Sequence, residues 1–387
     1  MAWRVGDPGD PAELAASFLA GHGLGLPTAG TPDAGASEAG SSEAGHAAAE
    51  ICGATIFVSA AAGAAMIGAS PGEPSPSPAV PDVSIVVYTH TEFSDATPTA
   101  DSSLSCELGP WRPSWTPDRH AAAVGAVREA IARGDVYQVN VVGHAAAPYR
   151  GDPWSALRRV TSLPGARYAG ILAGDGWAIA SASPETLVRV EAGVVETRPI
   201  KGTRPATAAG RRELLSSAKE RAEHVMIVDL ERNDLAHIAR VGTVDVPELF
   251  TVRRWCDLWQ AESRVVARLA DGVDLATLLR AVCPGGSVTG VPKLAALAQI
   301  AALEPVGRGA SMGALGWLDA ERLDLGLTIR TVAVDGERIH LWTGGGITWD
   351  SDPDAEVAEA AAKAAPILAA LAAPPAPPRR SRSCARD

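Results

Sequence analysis

The chain has 387 residues, 47% of them apolar, and a formal net charge of −11. That length and apolar content allow a sizeable core in one large or two ordinary domains. The acidic balance argues against a nucleic acid or an anionic membrane as partner, so an anionic small molecule would need a bound cation or a local basic site.

Cys52, Cys106, Cys256, Cys283 and Cys384 are scattered and form no CxxC pair. This pattern predicts reduced cytoplasmic thiols rather than a disulfide framework or a zinc site. The opening MAWRVGDPGD has no apolar signal core,. Residues 31–50, rich in Ala, Gly, Ser and acidic side chains, predict a mobile low-complexity loop,. The apolar run over 51–67 is mostly Ala and Gly, which suits a buried element better than a membrane span,. VSIVVY at 83–88 predicts a strand,.

The texture changes at Thr116. Asp118 is placed to cap a helix running through HAAAVGAVREAIARG and stopped by Gly134,. DVYQVNVVGHAAAP follows as a strand, with Gln138 and Asn140 on one face,. Residues 168–190 predict a hairpin around Asp175-Gly176, its second strand carrying Ser183-Pro184-Glu185,. TRPIKGTRP at 197–205 then sets Lys201 between a proline and a glycine, a loop that fixes where the amine projects,. A partly desolvated lysine loses its proton near neutral pH and becomes a nucleophile.

Residues 211–238 predict one long helix in which Glu220 and Glu223, three apart, share a face,. A helix over 274–282 ends at Pro284-Gly285-Gly286, a turn able to present N–H groups to an anion,. It leads through Thr289 and Lys293 into another helix. Strands follow at 312–318, 325–334 and 338–342. Arg330 lies in an otherwise apolar strand and requires an acidic partner or a ligand carboxylate,. Gly344, Gly345 and Gly346 break the strand pattern and allow close backbone approach,. A capped final helix carries a second acidic pair, Glu356 and Glu359. The Pro-rich basic residues 374–387 predict a disordered tail,. Two oxygen-only acidic pairs suit Mg²⁺ bridging carboxylates to an anionic substrate.

GDVYQVN, ASPETL, TRPIKGTRP, KERAEHVMIVDLERNDL, PGGSVTGVPK, LTIRT and GGGITWDSDPDAEVAEAAAK occur in that order. Together they resemble the chorismate-utilising enzymes, which include anthranilate synthase component I, aminodeoxychorismate synthase component I, and the isochorismate and salicylate synthases. The resemblance covers roughly residues 121–371. It implies a large α/β (α+β) fold of two subdomains, with antiparallel sheets packed face to face and helices outside. It also implies a catalytic domain over 116–373 behind a degenerate N-terminal region, 1–115.

By the same resemblance, Glu220, Glu223, Glu356 and Glu359 would hold Mg²⁺. Arg330, Thr289, Lys293, Gln138 and the backbone of Gly344, Gly345 and Gly346 would hold chorismate, and Glu185 would be the general acid. Hydrolytic members resemble one another in having lysine where this chain has Gln138. Lys201 matches the lysine of aminodeoxychorismate synthases, thought to attack C2 of chorismate in a route to 4-amino-4-deoxychorismate and p-aminobenzoate. Anthranilate synthases usually have alanine there and are the alternative, as is an aminodeoxychorismate synthase of secondary metabolism. Gln260 stands where many members have histidine, and Trp317 where many have tyrosine. Gln260, with the weakly matching N-terminal third, motivates a degenerate, non-enzymatic chorismate-binding or partner-binding subunit as the remaining reading. No glutaminase-like Cys/His/Glu arrangement is evident, so ammonia is expected from a separate glutamine amidotransferase subunit.

Overall fold

Two antiparallel sheets, one of ten strands and one of eight, organise the computed structural model, which describes residues 1–27, 50–90 and 106–373. The expected loop (apart from Glu50) and the expected tail lie outside the described residues.

The larger sheet runs from Ala2–Trp3 through Val83–Thr89, Ile51–Val58, Ala314–Leu318, Arg322–Leu327, Thr186–Glu191, Val194–Arg198 and Leu258–Arg268 to Ile200–Pro205. Asp245–Trp255 also pairs with Leu258–Arg268. Ile51–Val58 is laid against Ala314–Leu318, with Ala314 opposite Val58, so the N-terminal strands extend the same sheet. The smaller sheet runs from Gly290–Val291 through Gln138–Gly151, Arg338–Ile347, Thr331–Asp335 and Trp177–Ser183 to Tyr168–Gly174.

Phe57, Val188 and Leu325 of the larger sheet share one core with Val142, Ile179 and Trp342 of the smaller. Helices Trp154–Thr161 and Pro353–Ala372 cover the smaller sheet's outer face, where Leu157, Val160, Ile367 and Leu371 meet Val332 and Leu341. Helices Pro117–Arg133 and Lys293–Leu303 pack on Val139 and Val141. Strand alternation therefore sends Gln138, Asn140 and Val142 to the opposite side. The apolar 51–67 run forms the strand Ile51–Val58 and the helix Ala60–Met66. Among the described residues no helix is long and apolar enough to cross a membrane.

Two expected strands are each cut in half. Trp177–Ser183 lies in the smaller sheet and Thr186–Glu191 in the larger, so the chain changes sheets at Pro184-Glu185. Proline offers no N–H to continue a ladder. Likewise Arg322–Leu327 and Thr331–Asp335 lie in different sheets, and Arg330 between them has φ +53°. The expected long helix is also two, Ala208–Ser216 and Ala218–Ala236. Ser217 leaves helical geometry (ψ 109°) and its hydroxyl accepts the Glu220 N–H, a cap that restarts the helix,. Thr116, not Asp118, caps the helix Pro117–Arg133.

Lys201 sits in a strand rather than a loop. It pairs with Ala261, and Gly202, at φ +71°, bulges out before Thr203 resumes pairing with Gln260,. The triglycine does not break a strand either. Gly344, Gly345 and Gly346 pair with Val142, Val141 and Asn140. A β-carbon on Gly344 would lie 2.0 Å from the Val141 carbonyl oxygen. Gly344→Ala should therefore lower stability by about 1–3 kcal/mol, read as a lowered midpoint of urea unfolding.

Candidate active site

Both sheets and both acidic helices wall a cavity of about 110 Å³. Each sheet-changing segment delivers one side chain to it: Glu185 from the first and Arg330 from the second. The bulged strand delivers Lys201, and helices Ala218–Ala236 and Pro353–Ala372 deliver Glu220 and Glu223, and Glu356 and Glu359. Gly344, Gly345 and Gly346 form a side-chain-free stretch of wall. A β-carbon on Gly345 would lie 3.0 Å from Glu356 Oε2, and one on Gly346 2.4 Å from Gln138 Nε2 and 2.9 Å from Lys201 Nζ.

Glu185 is 4% exposed. Burial pushes its carboxyl up to about 7, against the opposing pull of the Ser287 hydroxyl and Lys201. Its Oε1 accepts from Ser287 Oγ at 2.5 Å and from the Ile200 N–H at 3.3 Å. Lys201 Nζ donates to the Ser287 carbonyl at 2.9 Å. Desolvation lowers the pKa of that amine, which nearby carboxylates only partly offset. Lys201 is half-buried by surface area, and its amine is enclosed within the cavity.

Arg330 is buried, and its guanidinium lies 4.2 Å from the Trp255 ring centroid. Its Nη1 has no protein hydrogen-bond partner. Burial lowers its pKa to about 10, so it stays protonated at neutral pH. A cation held over an aromatic face with a donor unspent is prepared for an anion.

Both acidic pairs line the cavity. Burial raises the Glu220 carboxyl, with Glu223 and Glu359 adding to the rise against Arg204. Burial also raises Glu356, Ser351 opposes it, and Glu359 reinforces it. Burial alone would raise Glu359 too, but Lys363 outweighs it and the net shift is downward. At present Arg204 pairs with Glu220 at 2.9 Å, Lys219 with Glu223 at 3.7 Å and Lys363 with Glu359 at 2.7 Å. Among the described residues no three acidic, His or Cys groups stand at metal-holding spacing. The oxygen-only donor set fits the chemistry of a hard dication, and three of its carboxylates are paired with side-chain cations,.

Three nominated residues are not on the cavity wall. Thr289 is buried, and its Oγ1 donates to Gly285 O at 2.9 Å, holding the glycine turn together. Lys293 pairs with buried Asp234 at 2.7 Å. Gln138 lies behind Gly346, its amide buried with neither atom partnered. Trp317 lines a separate cavity with Tyr168 and Arg167, and its indole N–H donates to Asp319. Gln260 does line the site, so an untitratable amide occupies that wall. The sequence reading missed Ser287, Lys219 and Lys363. The two lysines carried a usable signal, since each is four residues from a nominated glutamate on the same helix,.

The chorismate binding enzyme family model matches residues 77–369, well over half of the chain. The chain belongs to that family. It is 39% identical over 256 residues to the aminodeoxychorismate synthase component 1 of Salmonella typhimurium, a match covering 64% of this chain and 56% of the relative. It is also 39% identical over 257 residues to the anthranilate synthase component 1 of Streptomyces coelicolor, covering 64% of this chain and 50% of the relative. The chain thus spans about half the length of these curated relatives. The crystal structure of anthranilate synthase component I from Streptococcus pneumoniae superposes with a TM-score of 0.71 at 26% identity, covering 84% of this chain and 82% of that one.

Glu185 gives a stability prediction. Its folded pKa, about 7, exceeds the ordinary value of 4.5. Between these pH values the unfolded chain has released a proton that the folded chain keeps, so stability falls as pH rises. Glu185→Gln removes the penalty. Its stability relative to wild type should improve by up to about 3 kcal/mol from pH 4 to pH 8, measured by denaturant unfolding at each pH.

Proposed function

We propose that this chain is the chorismate-binding component of an aminodeoxychorismate synthase, converting chorismate and ammonia to 4-amino-4-deoxychorismate for p-aminobenzoate and folate synthesis. The observation that carries this reading is the Lys201 amine, enclosed beside the buried acid Glu185 with the Ser287 carbonyl as its hydrogen-bond acceptor.

Arg330 and the Gly344–Gly346 backbone receive the substrate's carboxylates. Glu185 gives its proton to the C4 hydroxyl, which leaves as water. As it leaves, the Lys201 nitrogen bonds C2, and the two ring double bonds each shift one position toward C4. Ammonia then bonds C4, the double bonds return, and the C2–nitrogen bond breaks to release Lys201. The enolpyruvyl group is untouched. The proton that ammonium gave up to become ammonia restores Glu185.

This scheme needs a neutral amine and a neutral acid together. Burial favours that pairing, because desolvation disfavours the charged forms of both. Passing one proton from Lys201 to Glu185 reaches it without exchange with solvent. Mg²⁺, held by Glu220, Glu223, Glu356 and Glu359, would supply positive charge against the substrate's ring carboxylate. A separate glutamine amidotransferase would supply ammonia, consistent with "component 1" in the relatives' names. Anthranilate synthesis is the second reading, supported by the equal identity to the Streptomyces coelicolor enzyme.

Chorismate turnover with Mg²⁺ and ammonium, with products separated by chromatography, tests the choice. The wild type should yield an amino product that retains the enolpyruvyl group, and Lys201→Ala should lose about a hundredfold or more in rate. Release of pyruvate and anthranilate would overturn the proposal. Calorimetric titration of Mg²⁺ should show binding that Glu359→Gln weakens about tenfold or more. Chelation should stop turnover.

A further inference from the structure

Ser287 touches both members of the proposed catalytic pair, its hydroxyl on Glu185 and its carbonyl on Lys201. Both donors on the Glu185 carboxyl, the Ser287 hydroxyl and the Ile200 N–H, converge on Oε1. Among the described residues no protein group bonds Oε2. An oxygen already accepting two hydrogen bonds is a poor place for a proton, so the neutral acid carries it on Oε2.

We propose that Ser287 is a positioning residue for proton delivery: its hydroxyl occupies one oxygen of Glu185 so that the other presents the proton to the substrate. This rests on the reading of Glu185 as general acid given above.

The turn that holds Ser287 is braced from behind. Thr289 Oγ1 donates to Gly285 O and Gly286 O, and Arg308 Nη1 donates to Val288 O at 2.6 Å. A β-carbon on Gly286 would lie 2.7 Å from Leu230 Cδ2 and 2.9 Å from Glu231 Oε1, so the turn is seated directly on helix Ala218–Ala236. Ser287 itself is 6% exposed. The hydroxyl thus has a fixed origin, and its hydrogen bond favours the charged carboxylate. The other charged groups that face Glu185 are Lys201 on its bulged strand, Glu262 on Leu258–Arg268, Glu231 on Ala218–Ala236 and Arg330 at the second sheet change. All of them stay in place when Ser287 is replaced.

The test is the pH profile of ammonium-dependent chorismate turnover. Ser287→Ala leaves the carbonyl for Lys201 and removes only the hydroxyl. Its kcat should fall about tenfold, and the alkaline limb of its kcat profile should move up by about one pH unit, the equivalent of one lost hydrogen bond. KM for chorismate should stay within about twofold. Ser287→Thr should restore both kcat and the limb. If Ser287→Ala does not fold, Ser287→Cys, with its weaker donor, should show the same shift. A raised KM with an unmoved limb would make Ser287 a substrate contact and overturn the proposal, as would an unchanged profile. Glu185→Gln serves as the control. If it keeps the wild-type rate, the general-acid reading itself fails. If it loses the rate while Ser287→Ala is silent, only the role of Ser287 fails.

Discussion

An acid and an amine, each of which would ordinarily be hydrated and charged, are enclosed together between two sheets. The rest of the architecture answers to that enclosure. Glu185 is buried because the chain leaves one sheet for the other at Pro184-Glu185, and Lys201 faces it from a strand displaced by a one-residue bulge. A lone buried carboxyl would simply stay neutral, and a lone buried amine would simply lose its charge. Together they hold their protons in a balance that geometry controls.

The second constraint is charge. The protein is strongly acidic overall, yet its cavity gathers Lys201, Lys219, Lys363 and Arg330. Lys219 and Lys363 are paired with the glutamates of their own helices, whereas Arg330 has a donor unspent and only the Trp255 ring beneath it. This asymmetry sorts the cations by role. The paired lysines offset crowded carboxylates, which the proposed Mg²⁺ would do more strongly. The unspent guanidinium donor is the one that the proposed substrate's carboxylate would take. A protein with net negative charge can therefore hold a dianion, because the interaction is decided within a few ångströms.

Much of this was legible in the sequence, for identifiable reasons. Helical spacing placed Glu220 with Glu223 and Glu356 with Glu359, and all four line the cavity. The requirement that a buried arginine find a partner singled out Arg330. Local patterning did not reveal that the strand candidates around Glu185 and Arg330 are each divided between two sheets, because apolar strand formers lie on both sides of each break and each stretch reads as one run. The triglycine was misread for a related reason. Glycine is depleted from strands in general, but here a β-carbon at 344 would collide with the Val141 carbonyl of the partner strand, and those at 345 and 346 would crowd the ends of Glu356 and Gln138. Ser287 was invisible because its function is divided between a hydroxyl and a carbonyl, and only the folded turn brings both to bear. Thr289 and Lys293 were nominated as ligand contacts from the same motif. Thr289 braces the turn and Lys293 pairs with Asp234, and neither side chain lines the cavity.

Equal identity to an aminodeoxychorismate synthase and to an anthranilate synthase follows from where the choice of reaction resides. Two enzymes that hold the same substrate need the same carboxylate receptors, the same acid at the leaving hydroxyl and the same sheets to place them. All of that contributes to identity without discriminating. The discriminating question is which atom forms the first bond to the ring, and one side chain can answer it. Lys201 is close enough to Glu185 for their charges to interact, and a β-carbon on Gly346 would crowd its amine. A small apolar residue at 201 would leave the acid, the arginine and the carboxylates intact and would remove only the amine that the proposed scheme uses to attack C2. The assignment therefore depends on that nitrogen rather than on the sum of matched residues.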